Sequence, residues 1–144
     1  MKQINFIALL FSCILFQSCD KSTFSADQIK GTWELVQIQA GMSPTRDATP
    51  GEEQIILTAS TYEIVKNGTP TESGNYSVIE DPSVSKEVCL ELEKGTYTHR
   101  IQFEGGDNSR KIFFQIKGDS MNTLSGCFAL DGGVSKSYKK EFIH

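Results

Sequence analysis

From Gly31 onward the chain alternates apolar and polar residues with a period of two. That spacing turns one face of a strand to a core and the other to water. Nine segments carry it: residues 32–39, 52–58, 60–66, 73–79, 87–93, 96–104, 110–117, 122–130 and 134–143. Between the third and fourth stands Asn67-Gly68, a strong hairpin signal because both central residues of a type I′ turn need positive φ. Gly95, Gly105-Gly106, Gly118-Asp119 and Gly132-Gly133 punctuate the later segments. Short connections join antiparallel neighbours, and closing such a row into a barrel removes its exposed edges. The expected fold is all-β: a single antiparallel up-and-down barrel of eight to nine strands. One helical turn precedes it. Ser25 and Gln28 form a capping box, Phe24 and Ile29 take the staple positions, and Gly31 ends the turn.

Parity assigns the inward face. In the segments before residue 80 it selects Leu35, Tyr62, Ile64 and Tyr76. Segment 87–93 contributes Leu90 with Val88 and Leu92, and segment 96–104 contributes Tyr97, His99, Ile101 and Phe103. Phe114 leads the inward set of 110–117, leaving Phe113 outside with Lys111 and Lys117, and Phe128 joins Leu124 and Leu130 in 122–130. These apolar sets are the expected barrel lining and the candidate ligand contacts.

The N-terminus reads as an address. Lys2 is the only charge before Asp20, and residues 4–16 are almost wholly apolar. The run is too short for a bilayer-spanning helix, which needs about 20 residues, and suits a signal peptide. It ends Phe16-Gln17-Ser18-Cys19, which resembles the lipobox of bacterial lipoproteins. There a small residue precedes a cysteine that is lipidated and becomes the first mature residue, its sulfur being the strong nucleophile. The resemblance implies a signal peptide over 1–18, a covalent lipid anchor at Cys19, a tether over 19–24 and a domain over 25–144. It also implies a cell-envelope location, expected at the outer membrane with the domain facing the periplasm. Several acyl chains make such anchoring durable.

Removing residues 1–18 leaves 126 of the 144 residues and moves the formal charge from -4 to -5. That length is one domain with a core of its own. No basic cluster with interleaved aromatics appears, so nucleic acid is not an expected partner. No G-x-S-x-G, H-E-x-x-H or C-x-x-C occurs. The two histidines lie far apart, without metal-ligand spacing. No metal, cofactor or catalytic residue is expected, and the chain does not read as an enzyme. His99, inward by parity, reads mainly as a hydrogen-bonded barrel histidine. Cys89 and Cys127 are both outward by parity, on strands three steps apart. That is about 14 Å at the usual strand spacing, against the roughly 7 Å between Cα atoms that a disulfide allows. An oxidising compartment favours pairing. Either the two stay free or the strand order differs from a plain meander.

The helical turn, then Gly31-Thr32-Trp33 opening the first strand, then only up-and-down strands, resembles the lipocalins, and more closely the small lipocalin-like lipoproteins of bacterial envelopes. The resemblance covers about residues 25–144. It implies that Gly31 and Trp33 plug one end of the barrel, with a basic side chain over the tryptophan: Lys136, Lys139 or Lys140. It also implies a calyx for a small apolar ligand, a size at which a barrel either fills with side chains or holds one ligand. The expected function is binding or carrying a small apolar molecule. The alternative is a filled barrel that binds another envelope protein as an accessory or inhibitor.

Overall fold

The computed structural model describes residues 24–105 and 110–142. The expected signal peptide, the expected lipidation site Cys19 and the expected tether as far as Thr23 lie outside the described residues. Nine strands form one antiparallel sheet: β1 (Gly31–Ala40), β2 (Arg46–Asp47), β3 (Gln54–Leu57), β4 (Thr61–Lys66), β5 (Thr69–Glu80), β6 (His99–Phe103), β7 (Ile112–Lys117), β8 (Ser120–Ser125) and β9 (Val134–Glu141). Each long strand pairs with the next, and β9 returns to pair with β1 from Thr32↔Glu141 to Ala40↔Val134. Eight strands thus close a barrel. The two-residue β2 adds to β1 beside β3, through Gln37 and Ile38.

A short helix, α1 (Ala26–Ile29), sits ahead of β1. Gln28 Oε1 accepts the Ser25 N–H at 3.2 Å, and Ser25 Oγ accepts the Asp27 N–H at 3.4 Å, so the capping box forms. Trp33 is fully buried and donates its Nε1–H to the Ile29 carbonyl at 2.7 Å. Lys140 Nζ stands 5.1 Å from the centre of its ring. Gly31 has φ +131, and a Cβ there would meet Lys140 Cε at 2.6 Å. The backbone therefore requires glycine where β1 starts. Asn67 and Gly68 both have positive φ, joining β4 to β5 as the hairpin signal requires.

The barrel is filled at the α1 end by Trp33, Ile29, Leu57, Tyr76 and Met121. A second core lies outside the barrel. After β5 the chain forms α2 (Val84–Val88) and returns through an irregular segment of turns to β6, making a strap over residues 81–98. Val84 and Val88, spaced i,i+4 on one helix face, pack on Phe113, Leu124 and Phe128.

The strap corrects several expectations. Segment 87–93 is not a strand. Its alternation is the end of α2 and a loop, and Leu90 is exposed there rather than lining the barrel. Tyr97 also lies outside the sheet, at positive φ before β6. Phe113 points outward, yet the strap buries it completely. Leu124 points outward with it, so the inward residues of β8 are Met121, Thr123 and Ser125. Phe128 follows the end of β8 in a 3-10 turn and belongs to the strap core. Cys89 and Cys127, spared the strand geometry that would separate them, form a disulfide with Cα atoms 5.0 Å apart.

Candidate functional site

The strand directions put the turns 41–53, 67–68 and 126–133 at the end of the barrel opposite α1. Here the interior holds a cavity of about 260 Å³. Its apolar wall comes from Ile55 of β3, Ile64 of β4, Ile101 and Phe103 of β6, and Ile112 of β7. The opposite wall is polar. Thr123 and Ser125 line it from β8, and Val134, Lys136 and Tyr138 from β9. Glu53, just before β3, completes it.

Glu53 is 7% exposed. Its backbone is held because its carbonyl accepts the Leu35 N–H at 2.9 Å. Residues 53, 55 and 57 share one face, so the strand that buries Ile55 and Leu57 must also bury Glu53. Three donor contacts satisfy the carboxylate. Tyr138 Oη–H donates to Oε1 at 2.6 Å, and Lys136 Nζ donates to Oε1 at 2.7 Å and Oε2 at 2.8 Å. The residues meet across β1, since β3 and β9 flank it. Burial, and then the neighbouring Glu53 charge, push the Tyr138 hydroxyl well above its usual range, so it stays a donor. Lys66 Nζ lies 3.9 Å from Glu53 Oε2, close enough to pair but too far to hydrogen-bond. Glu72 lines the mouth and is exposed.

Of the residues that sequence parity selects as lining, Ile64, Ile101 and Phe103 face this cavity. Leu35, Tyr62 and Tyr76 are buried in the packed barrel core, with the Phe103 ring tilted against Tyr62 at 4.2 Å between ring centres. Tyr76 donates its hydroxyl to the Thr58 carbonyl at 2.7 Å. His99 and Phe114 lie towards the α1 end. There Phe24 packs on both rings, at 4.8 and 5.3 Å between centres. His99 Nδ1 meets Thr98 Oγ1 at 2.9 Å. A separate groove of about 250 Å³ runs past Phe24, Tyr97, His99 and Phe114. Neither Tyr97 nor His99 therefore reaches the Glu53 cavity, and neither can orient a ligand in it.

Sequence reasoning missed Glu53, Lys66, Thr123 and Tyr138. The signal was present: Glu53 and Lys66 extend the inward registers of Ile55 and Ile64, and Lys136 shares parity with Tyr138. A charge on an apolar register reads as a strand end unless a partner is known across the barrel. Among the described residues no group of three His, Cys, Asp or Glu side chains could hold a metal ion. No family model, curated protein or solved structure matches the chain.

Proposed function

We propose that this is a lipid-anchored protein of a bacterial envelope whose lipocalin-like barrel binds a small, largely apolar molecule. The observation that carries the reading is the 260 Å³ cavity, with isoleucine and Phe103 walls and a few convergent polar groups at one side, the usual composition of a small-molecule site. Burying an apolar ligand against those walls would contribute roughly 25 cal/mol per Å² removed from water. The Cys89–Cys127 disulfide supports a location outside the reducing cytoplasm. The Ser18-Cys19 lipobox supports lipidation, and the plug of Gly31 and Trp33 under Lys140 supports the lipocalin-like reading.

The test is native mass spectrometry of the chain from residue 19, carrying Cys19→Ser, after incubation with an envelope lipid extract. A discrete added mass is expected, and it should vanish in Ile64→Trp, which fills the cavity with an apolar ring. No added mass on a folded barrel would sink the carrier reading. Labelled palmitate should enter the unaltered protein but not Cys19→Ser; equal labelling of both would refute the anchor. One feature favours the second reading, a protein partner: Met42 and Leu130 are 79% and 81% exposed, and Asp131, next to Leu130 in the chain, accepts the Met42 N–H through its carboxylate.

A further inference from the structure

We infer that the short link between Cys19 and the barrel turns the α1 end towards the anchoring bilayer and the cavity mouth away from it. A guest then enters the cavity from the aqueous side, not from the leaflet that holds the protein. The inference rests on the anchor reading above and supplies its geometry.

Reach is the first quantity. Phe24 stands five residues after Cys19, and an extended chain spans at most about 3.6 Å per residue. Phe24 therefore lies within about 18 Å of the anchored residue, whatever path the link takes. Phe24 itself adds no slack. Its ring packs on His99 and Phe114, at 4.8 and 5.3 Å between centres, and Ser25 caps α1 directly after it. Trp33 holds α1 to the barrel through its bond to the Ile29 carbonyl, 2.7 Å long. The link is thus fastened to the α1 end.

Barrel depth is the second quantity. β1 has ten residues, about 33 Å of strand. Strands in a barrel tilt by about 35–45°, which leaves about 25 Å along the axis. The turns 41–53 and 126–133 carry the mouth further. Laying the mouth on the bilayer would raise Phe24 by that depth, beyond the roughly 18 Å that the link allows. The turns 58–60 and 118–119 end the barrel beside α1, since Gly31 pairs with Leu57 and Lys117 with Ser120. They can rest on the bilayer with the link slack. Exposed apolar side chains stand at both ends, Phe142 at one and Met42 with Leu130 at the other. Exposure therefore does not choose between the ends; reach does. The α1 end is also filled, by the fully buried Trp33, Ile29 and Met121, so a guest reaches the cavity by the mouth.

The test uses the chain from residue 19, which keeps every described element. With Cys89 and Cys127 bonded to each other, Cys19 is its one free thiol. Coupling that thiol to a maleimide phospholipid in nanodiscs anchors the barrel at the same residue without relying on lipidation in the cell. This result and the palmitate labelling can therefore fail separately. Amide NMR spectra are recorded with and without a gadolinium-chelate lipid, which broadens signals close to the bilayer. Ser60, Gly118 and Phe142 should lose most of their intensity, while Met42, Gly68 and Leu130 keep theirs. Broadening at the mouth as strong as at the α1 end would overturn the inference. Full intensity at both ends would overturn it too, because the α1 end would then stand clear of the bilayer. Inserting about ten glycine and serine residues after Lys21 raises the reach to about 50 Å, more than the barrel depth. The difference between the two ends should then shrink, and an unchanged difference would overturn the short link as its cause.

Discussion

Glu53 and Lys136 show how a single pair can dominate a barrel interior. Removing one partner of a buried pair leaves a charge without compensation, at a cost of about 3–5 kcal/mol. Lys136 retains some exposure, so Lys136→Met should destabilise the protein by about 3 kcal/mol in urea unfolding at neutral pH. Adding Glu53→Gln should recover much of that loss. If the double variant is no more stable than the single, the pair is not the source of the effect. Tyr138 adds a pH signature. Its folded hydroxyl titrates well above the usual value of 10, so the folded state holds that proton where the unfolded chain releases it. Stability is therefore complete below about pH 10 and declines above it. Tyr138→Phe should flatten that decline in a series of alkaline denaturation curves, and an unchanged slope would refute the assignment.

The strap over residues 81–98 is the element that departs most from the alternating pattern. The run Glu87-Val-Cys-Leu-Glu-Leu-Glu93 has period two, which is why it reads as a strand. The competing signal is Val84 and Val88 at helical spacing, with Asp81-Pro82-Ser83 as a start. The outward face of β7 and β8 decided between them: Phe113 and Leu124 left an apolar surface that only a covering segment could bury. Asp81 ties the strap to the barrel. Its carboxylate accepts from Ser83 N–H and Oγ–H, meets Arg100 Nε at 3.0 Å, and pairs with Lys111 Nζ at 3.0 Å. Burial works against its charge, but the hydrogen bonds from Ser83 and Lys111 outweigh it and bring the pKa from 3.8 to about 2. A lowered folded pKa stabilises above the unfolded value and is lost as pH falls through the folded one. Asp81→Asn should therefore cost on the order of 1–2 kcal/mol at pH 7, with solvent screening allowed for. It should also flatten the loss of stability between about pH 4 and pH 2. Acid denaturation followed by tryptophan fluorescence of Trp33 would report both, and parallel curves for the two proteins would exclude the role.

At the scale of the whole molecule, two closures act together. The β1–β9 ladder closes the barrel, and the Cys89–Cys127 bond pins the strap against it across 38 residues of sequence. In the chain-entropy account a loop of that size is worth about 4 kcal/mol. Cys89→Ser/Cys127→Ser should lower stability by about 2–4 kcal/mol. It should also open residues 90–98 to limited proteolysis while the barrel strands stay protected. Reductant should reproduce the effect in the unaltered protein but add nothing to the variant. Proteolysis that begins in the barrel instead would mean the bond supports the whole fold rather than the strap.

The sequence alone determined the class and most of the strand ladder, because these follow from local causes. Period-two alternation sets which faces can be buried, Asn67-Gly68 selects a tight hairpin, Ser25 and Gln28 cap α1, and Gly31 permits the entry into β1. The inward placement of Leu35, Tyr62, Ile101 and Phe103 came from parity in the same way. Only the tertiary structure decided what parity cannot see. An outward apolar face such as Phe113 with Leu124 can be covered by a distant segment. An alternating run such as residues 87–93 can be withdrawn from the sheet to do the covering, and two cysteines placed apart in a meander then meet. The polar cavity arose the same way. Glu53, Lys66, Lys136 and Tyr138 lie on three parts of the chain, and curvature into a closed barrel brings them together, since strands remote in sequence become near neighbours only when the sheet closes on itself.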